Sequence, residues 1–243
     1  MTDFSQGLSQ KFFEATPVPG GFGGAISDPA ASTQIPSAGS GFSPYRGGLK
    51  RVLDLVVVLL GAPFVLPMVL ILAYLVSRDG APAFYSQKRL GRGGRLYTIW
   101  KLRTMVADAD DRLGAHLAAD PAARAEWTRT QKLLHDPRIT PIGNFLRKCS
   151  LDELPQLWNV LRGEMSLVGP RPMMPCQRDL YPGTACFALR PGITGPWQVS
   201  KRNACSFADR AAFDEAYARD LSFPTDLRLL LATVRVVLCA TGH

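Results

Sequence analysis

Apolar residues are spread unevenly along this chain. Val52 to Val76 is a run of 25 residues whose only charge is Asp54, and no later apolar run is as long. A straight helix of that length measures about 37 Å, enough to cross a hydrocarbon core of about 30 Å. Pro63 and Pro67 lie in its middle, and each removes a backbone hydrogen bond and favours a kink. Lys50 and Arg51 precede the run, which places that end on the cytoplasmic side. The polar exit, Ser77-Arg-Asp-Gly80, leads into Lys88, Arg89, Arg92, Arg95, Lys101 and Arg103. With positive charge on both flanks, two arrangements stay open: a helix that spans the bilayer, and a bent helix that returns to the same face. The run is too long to favour a third, a buried core helix.

The rest of the pattern is that of a small α+β domain, mostly helical. Short apolar pieces alternate around Gly91-Arg-Gly-Gly94, which predicts a hairpin over 84–100. Residues 106–134 are patterned as helix, split at Pro121, with acids early and bases late as the helix dipole favours. A turn at Asp136-Pro-Arg138 precedes helices over 141–149 and 152–162, then a proline-punctuated loop from Gly169 to Pro175. A helical face recurs from Phe207 to Asp220. Pro224 can open a last helix to about Ala240, whose stripe of Leu227, Leu230, Leu231, Val234 and Leu238 either packs on the domain or lies in the membrane interface. Residues 1–48 are rich in Gly, Pro, Ser and Ala, too poor in apolar surface to offset their ordering entropy, and carry no secretory signal pattern. The expected division is therefore a disordered segment 1–48, a membrane helix 49–78 and a catalytic domain 79–243.

Charge sharpens this. The formal net charge is +8, and residues beyond 48 hold 26 of the 28 Lys and Arg against 17 of the 20 Asp and Glu. Such an excess suits anionic headgroups, phosphate-bearing small molecules or nucleic acid, but no nucleic-acid-binding motif is present. The five cysteines form no Cys-x-x-Cys pair, consistent with reduced thiols in a cytosolic domain. None of the three histidines has metal-site spacing with a cysteine.

Asp152-Glu153 is the focus of the candidate chemistry. Pro155 is tolerated only in a helix's first turn, so a helix should begin close to Asp152. One reading makes Asp152 an ordinary cap, worth about 1 kcal/mol. The other follows from its neighbours. A helix N-terminus seats phosphate, Arg147 and Lys148 lie just upstream, and Arg171 is held between two prolines. Two adjacent carboxylates there can divide the work, one attacking phosphorus and the other holding a metal ion, as phosphoryl transfer requires. Lys101 and Arg103 are either ordinary solvated charges or, alternating with Leu102 on a strand, share a face and a phosphate. Arg92 and Arg95 suit lipid headgroups. Trp100, Trp158 and Trp197 fit interfacial anchoring or core packing equally well.

The landmarks Lys50-Arg51-x-x-Asp54, Pro67, Phe84-Tyr-Ser-Gln-Lys-Arg-Leu-Gly91, Lys101-Leu-Arg-Thr-Met105, Asp136-Pro-Arg-Ile-Thr140, Leu146-Arg-Lys-Cys-Ser-Leu-Asp-Glu-Leu-Pro-Gln156, Gly169-Pro-Arg-Pro172, Arg190-Pro-Gly-Ile-Thr-Gly195 and Gln198-Val-Ser-Lys-Arg-Asn203 occur in this order. Together they resemble the bacterial sugar transferase family, the monotopic phosphoglycosyl transferases that act on polyprenyl phosphate. The short form is most similar to exopolysaccharide-initiating galactosyl- or glucosyl-phosphate transferases. The resemblance implies that Asp152 attacks the β-phosphate of a UDP-sugar, forms a phosphosugar-aspartyl intermediate and releases UMP, after which undecaprenyl phosphate takes the sugar phosphate. It implies that Glu153, with Asp152, binds Mg²⁺. Lys101, Arg103, Arg147, Arg171, Arg202 and Asn203 would surround the phosphates. The apolar run would be a re-entrant helix-break-helix turned at Pro67, with Lys50, Arg51, Asp54 and Pro63 as its other membrane landmarks. The domain would then lie on the cytoplasmic face of the inner membrane, as a possible homodimer. Leu66 stands where the family often has Ser, Lys201 where Gly is common, and Leu102 where Phe is usual. A non-catalytic scaffold for polysaccharide assembly would keep the fold and lose Asp152, Glu153 or Arg171; all three are present.

Overall fold

The computed structural model describes residues 44–130, 133–200 and 207–238; most of the N-terminal segment, residues 1–43, lies outside them. The described chain opens on a wide helical turn, Tyr45–Leu49, within the stretch expected to be loose. It passes directly into helix α1, Lys50–Ser77. Tyr45–Ser77 is the one helix among the described residues long and apolar enough to cross a membrane. α1 runs as a single helical element through Pro63 and Pro67, with no break in helical assignment at Pro67.

The middle and the two ends of α1 have opposite surroundings. Leu60, Phe64, Leu66 and Leu70 are 62–80% exposed, whereas Asp54, Val58, Leu72, Ala73 and Val76 are buried. Val58 joins a core cluster with Tyr97, Ile99, Val160, Met165 and Tyr217. Leu72, Ala73 and Val76 join another with Leu102 and Leu146. Both ends of the helix therefore pack on the same domain.

Polar bonds reinforce the entry end. Arg51 donates to the carbonyls of Val160 (2.6 Å) and Leu161 (3.0 Å), at the end of helix α5 (Gln156–Arg162), where a cation also meets the negative end of the helix dipole. Asp54 accepts from Ser166 Oγ (2.8 Å) and the Leu167 amide (3.1 Å). Lys50 pairs with Asp226, whose carboxylate also accepts from the Tyr45 and Tyr217 hydroxyls. Lys50 and Arg51, read from the sequence as a flanking membrane signal, thus attach the helix to the domain.

Beyond α1, strands β1 (Phe84–Leu90) and β2 (Leu96–Leu102) form the expected hairpin, with Tyr85 opposite Lys101 and Arg89 opposite Tyr97. Helices α2 (Ala109–Ala119) and α3 (Pro121–Thr130) divide at Pro121 as expected, and α4 (Pro141–Lys148) follows. The expected helix over 152–162 is instead two pieces. Leu151–Glu153 is a tight 3₁₀ turn, and α5 starts after Pro155. Two short strands, β3 (Ser166–Val168) and β4 (Gly192–Thr194), pair in parallel. α6 (Ala185–Ala188), α7 (Pro196–Val199), α8 (Arg210–Asp220) and α9 (Phe223–Leu238) complete the fold. The apolar stripe of α9 is divided: Leu229 and Leu230 pack on the core, while Leu227, Leu231 and Val234 are exposed. Trp197 is buried and Trp158 exposed.

The β3–β4 crossing depends on close backbone approach. A Cβ at Gly192 would sit 2.1 Å from the Gly169 amide nitrogen. That contact is backbone against backbone, so relief requires the two strands to separate. Gly192→Ala is expected to destabilise the protein by about 1–3 kcal/mol or more, read as a lowered thermal midpoint in nanodiscs. Gly47→Ala, with nothing within 4 Å of its added carbon, should leave the midpoint unchanged.

Candidate active site

The site is assembled where the end of β2 meets the turn after α4. Thr104, just past β2, accepts from the Thr140 amide at 3.0 Å, and Val106 donates to the Arg138 carbonyl at 2.9 Å. Thr140 caps α4, its hydroxyl accepting from the Gly143 amide at 3.0 Å. Gly143 is required by proximity, because a Cβ there would lie 2.0 Å from the Thr104 carbonyl oxygen. Asp136 and Arg138 form a buried two-pronged pair (2.8 and 2.6 Å), with Arg138 stacked 5.2 Å from the Trp127 ring centroid. The Asp136–Thr140 motif is thus a brace that fixes α4 against β2.

α4 delivers Arg147 to the site in its last turn, where the Thr104 hydroxyl accepts from Arg147 Nε at 2.9 Å. Ser150 follows with φ 56°, the one non-glycine residue with positive φ among those described. Such a conformation costs energy in an L-residue. It turns the chain so that Leu151–Glu153 brings both carboxylates to Lys101. Lys101 Nζ lies 2.7 Å from Glu153 Oε1 and 3.5 Å from Asp152 Oδ2.

Asp152 is 6% exposed, and its side chain caps no helix; its hydrogen-bond partner is Lys101. The capping reading is therefore set aside. Burial pushes its carboxyl above the usual range, the attraction of Lys101 opposes this, Glu153 adds to it and Arg147 counters it, with burial prevailing. The result is a poorly hydrated carboxylate beside two cations, a suitable nucleophile for an anionic phosphate. Burial also disfavours the charged form of Arg147, which Asp152 in turn stabilises. Glu153 and Asp152 offer hard oxygen donors side by side, and they already hold one cation, the Lys101 ammonium. That donor set suits Mg²⁺, which takes one or two carboxylates and completes its shell with water and substrate phosphate.

Not all expected members meet here. Arg103 donates to Asp79 (2.8 Å) and to the carbonyls of Pro82 (2.7 Å) and Val76 (3.0 Å). It clamps the exit of α1, because β2 ends at Leu102 and the strand alternation that would align Arg103 with Lys101 ends with it. Arg171 has its guanidinium 5.8 Å from the Trp197 ring centroid, and Arg210 donates to its carbonyl at 2.6 Å. Arg202, Asn203 and Lys201 lie outside the described residues. Two contributors were missed. Thr104 aligns Arg147 as above. Asn159, fully buried, accepts from the Trp100 amide (3.3 Å) and donates to the Thr98 carbonyl (2.7 Å), locking α5 to the strand that carries Lys101. Its signal was spacing: Gln156, Asn159 and Val160, all buried, fall at i, i+3 and i+4, so two polar residues occupy an inward helical face.

The burial of Asp152 has a stability consequence. Because its folded-state pKa is raised, the native state loses stability as pH climbs through the ordinary carboxylate range and the group must ionise. Asp152→Asn should therefore raise the thermal midpoint at pH 7.5, with the gain vanishing below about pH 4. A midpoint below wild type at pH 7.5 would make the carboxylate a net structural partner instead.

Comparison with known proteins places this geometry in a family. The model of the bacterial sugar transferase family matches residues 45–240. The UDP-galactose-lipid carrier transferase of Erwinia amylovora is 48% identical over 196 residues, which are 80% of this chain and 41% of the relative. The undecaprenyl-phosphate galactose phosphotransferase of Salmonella typhimurium is 45% identical over the same shares of each chain. The chain thus spans about two fifths of these two relatives. It spans 93% of the exopolysaccharide production protein ExoY of Sinorhizobium fredii, at 42% identity over 211 residues and 86% of this chain. A family match from the entry turn of the apolar helix to the end of α9 encloses every element of the site, and the chain belongs to the bacterial sugar transferase family.

Proposed function

We propose that this protein transfers a sugar 1-phosphate from a UDP-sugar to undecaprenyl phosphate, the first membrane step in building an exopolysaccharide or related glycoconjugate. The observation that carries this reading is the buried Asp152 carboxylate, bonded to Lys101 and beside Glu153 and Arg147. The names of the relatives support a lipid-linked acceptor and favour galactose as the sugar.

In the proposed reaction an Asp152 oxygen attacks the donor's β-phosphorus. The bond from that phosphorus to the bridging oxygen breaks, and its electron pair leaves with UMP. Lys101 releases the carboxylates and takes up the phosphate oxygens, and Arg147 holds the developing charge from the other side. A phosphate oxygen of undecaprenyl phosphate then attacks the aspartyl-bound phosphorus and frees the Asp152 carboxylate. Glu153 and Asp152 would hold Mg²⁺, which supplies further neutralisation of phosphate charge.

The attachment of both ends of α1 to one domain supports a re-entrant arrangement. If the helix crossed the bilayer, its entry bonds at Arg51 and Asp54 and its exit clamp at Arg103 would lie on opposite faces, and this small domain would have to reach both. A bent helix keeps both on the cytoplasmic face of the inner membrane, where UDP-sugars are found. Pro63 and Pro67 sit in the exposed middle of the helix, where a bend needs them.

Asp152→Asn is expected to lower UMP release from UDP-galactose by about 10³-fold or more, while rapid-quench mass spectrometry of the wild type finds a sugar phosphate on residue 152. Turnover by the Asn variant at the wild-type rate refutes the assignment. For topology, Gly47→Cys and Ala81→Cys, in a background without the five native cysteines, should react with an impermeant thiol reagent from the same face. Labelling from opposite faces excludes re-entry.

A further inference from the structure

The buried face that carries Asp152 also carries a donor with nothing to bind. Leu154 and Pro155 keep helical backbone angles (φ −55° and −60°, ψ −37° and −18°), so the 3₁₀ turn runs into α5 without changing its sense. The amides of Leu154, Leu157 and Trp158 donate in turn to the carbonyls of Leu151, Leu154 and Pro155. Residues three and four apart along such a stretch share a face. Asp152, Gln156, Asn159 and Val160 are spaced in this way, and each is 6% exposed or less. Strand β2 lies against this face at both ends. Lys101 meets Asp152 and Glu153 at one end, and Trp100 and Thr98 meet Asn159 at the other. Gln156 stands between them, one turn from each.

The Gln156 Nε2 group is buried without a hydrogen-bond acceptor. A buried donor left unfilled is unfavourable, and an apolar side chain of the same shape would avoid that penalty. Its neighbours on the face differ in what they can still accept. The Asn159 oxygen takes the Trp100 amide, and its nitrogen donates to the Thr98 carbonyl and to Glu164 Oε2 at 2.6 Å. The Val160 side chain has no acceptor. Glu153 holds Lys101 closely, at 2.7 Å, whereas Asp152 holds it loosely, at 3.5 Å. A carboxylate has about four lone-pair positions, so Asp152 is the neighbour with room for another donor. In the proposed transfer Lys101 leaves both carboxylates for the donor's phosphate. Asp152 then loses its hydrogen-bond partner at the moment it must present one oxygen to phosphorus.

We propose that Gln156 is a positioning residue for this reaction: its Nε2 donates to the Asp152 oxygen that does not attack, and so aims the one that does. The inference rests on the transfer reading. In the covalent intermediate the held oxygen is the acyl carbonyl. When a phosphate oxygen of the acceptor attacks, the bond between phosphorus and Asp152 breaks and its electron pair returns to the carboxylate. That charge spreads onto the oxygen Gln156 holds, and a hydrogen bond to the charged form favours it. The amide therefore acts most in the second half of the reaction, as the support of the leaving carboxylate.

The test is Gln156→Met, which keeps the length of the side chain and removes the donor, in the full chain in nanodiscs with UDP-galactose and undecaprenyl phosphate. The first turnover should release a burst of UMP, and the steady rate of lipid-linked product should then fall by about ten-fold or more. Rapid-quench mass spectrometry should find sugar phosphate accumulated on residue 152 beyond its wild-type level. The thermal midpoint should match or exceed that of the wild type, because an unfilled donor has been removed. A steady rate equal to wild type, a fall in rate with no build-up of the adduct, or a midpoint well below wild type overturns the proposal; the last result makes the amide a packing partner. A wild type that forms no adduct on residue 152 sinks the transfer reading and this one with it. A wild type that forms the adduct, beside a variant that behaves identically, overturns this one alone.

Discussion

Two sets of polar bonds, buried at the entry and more exposed at the exit, tie one apolar helix to one small domain at both its ends, and the rest of the molecule is arranged around that attachment. Arg51 and Asp54 reach into the junction of α5 and β3. Arg103 closes the exit through Asp79 and the Val76 carbonyl. Between them the helix leaves an exposed apolar middle that in water would be a severe liability and in lipid is not. The elements that hold the helix also carry the candidate site. α5 continues from the Asp152 turn, β3 leads to Arg171, and Arg103 lies two residues beyond Lys101.

The site itself is held together against its own preferences. A carboxylate is buried at Asp152, a left-handed serine precedes it, and Arg147 is desolvated beside it. Each is unfavourable alone and is sustained by the brace of Thr140, Gly143 and the Asp136–Arg138 pair behind it. In the proposed transfer, preorganised charge of this kind would act where phosphate charge changes, the usual source of rate in phosphoryl transfer.

Much of this was legible in the chain. The hairpin followed from alternation around Gly91–Gly94 and the split at Pro121 from proline's missing donor, whereas the contact of Lys101 with Asp152 and Glu153 came from the structure. Other readings failed for definite reasons. Strand alternation sets Arg103 beside Lys101, but the strand stops one residue earlier, at Leu102. The capping reading of Asp152 fails because α5 starts after Pro155 and Asp152 lies in a separate turn. β3 and β4 are three residues each, too short to show a period.

Local pattern determined what is near in sequence: which stretches are apolar enough for lipid, where helices can start, and which residue types could handle phosphate. The partners of each charge were decided only in three dimensions, because a guanidinium reads the same in sequence whether it meets a carboxylate, a helix carbonyl or another guanidinium. Arg51, Arg103 and Arg171 are equally basic on the page. Folding sends the first to the end of α5, the second to Asp79 and the third to an indole face among like charges. Contacts between residues tens of positions apart follow from packing, and packing has no local signature.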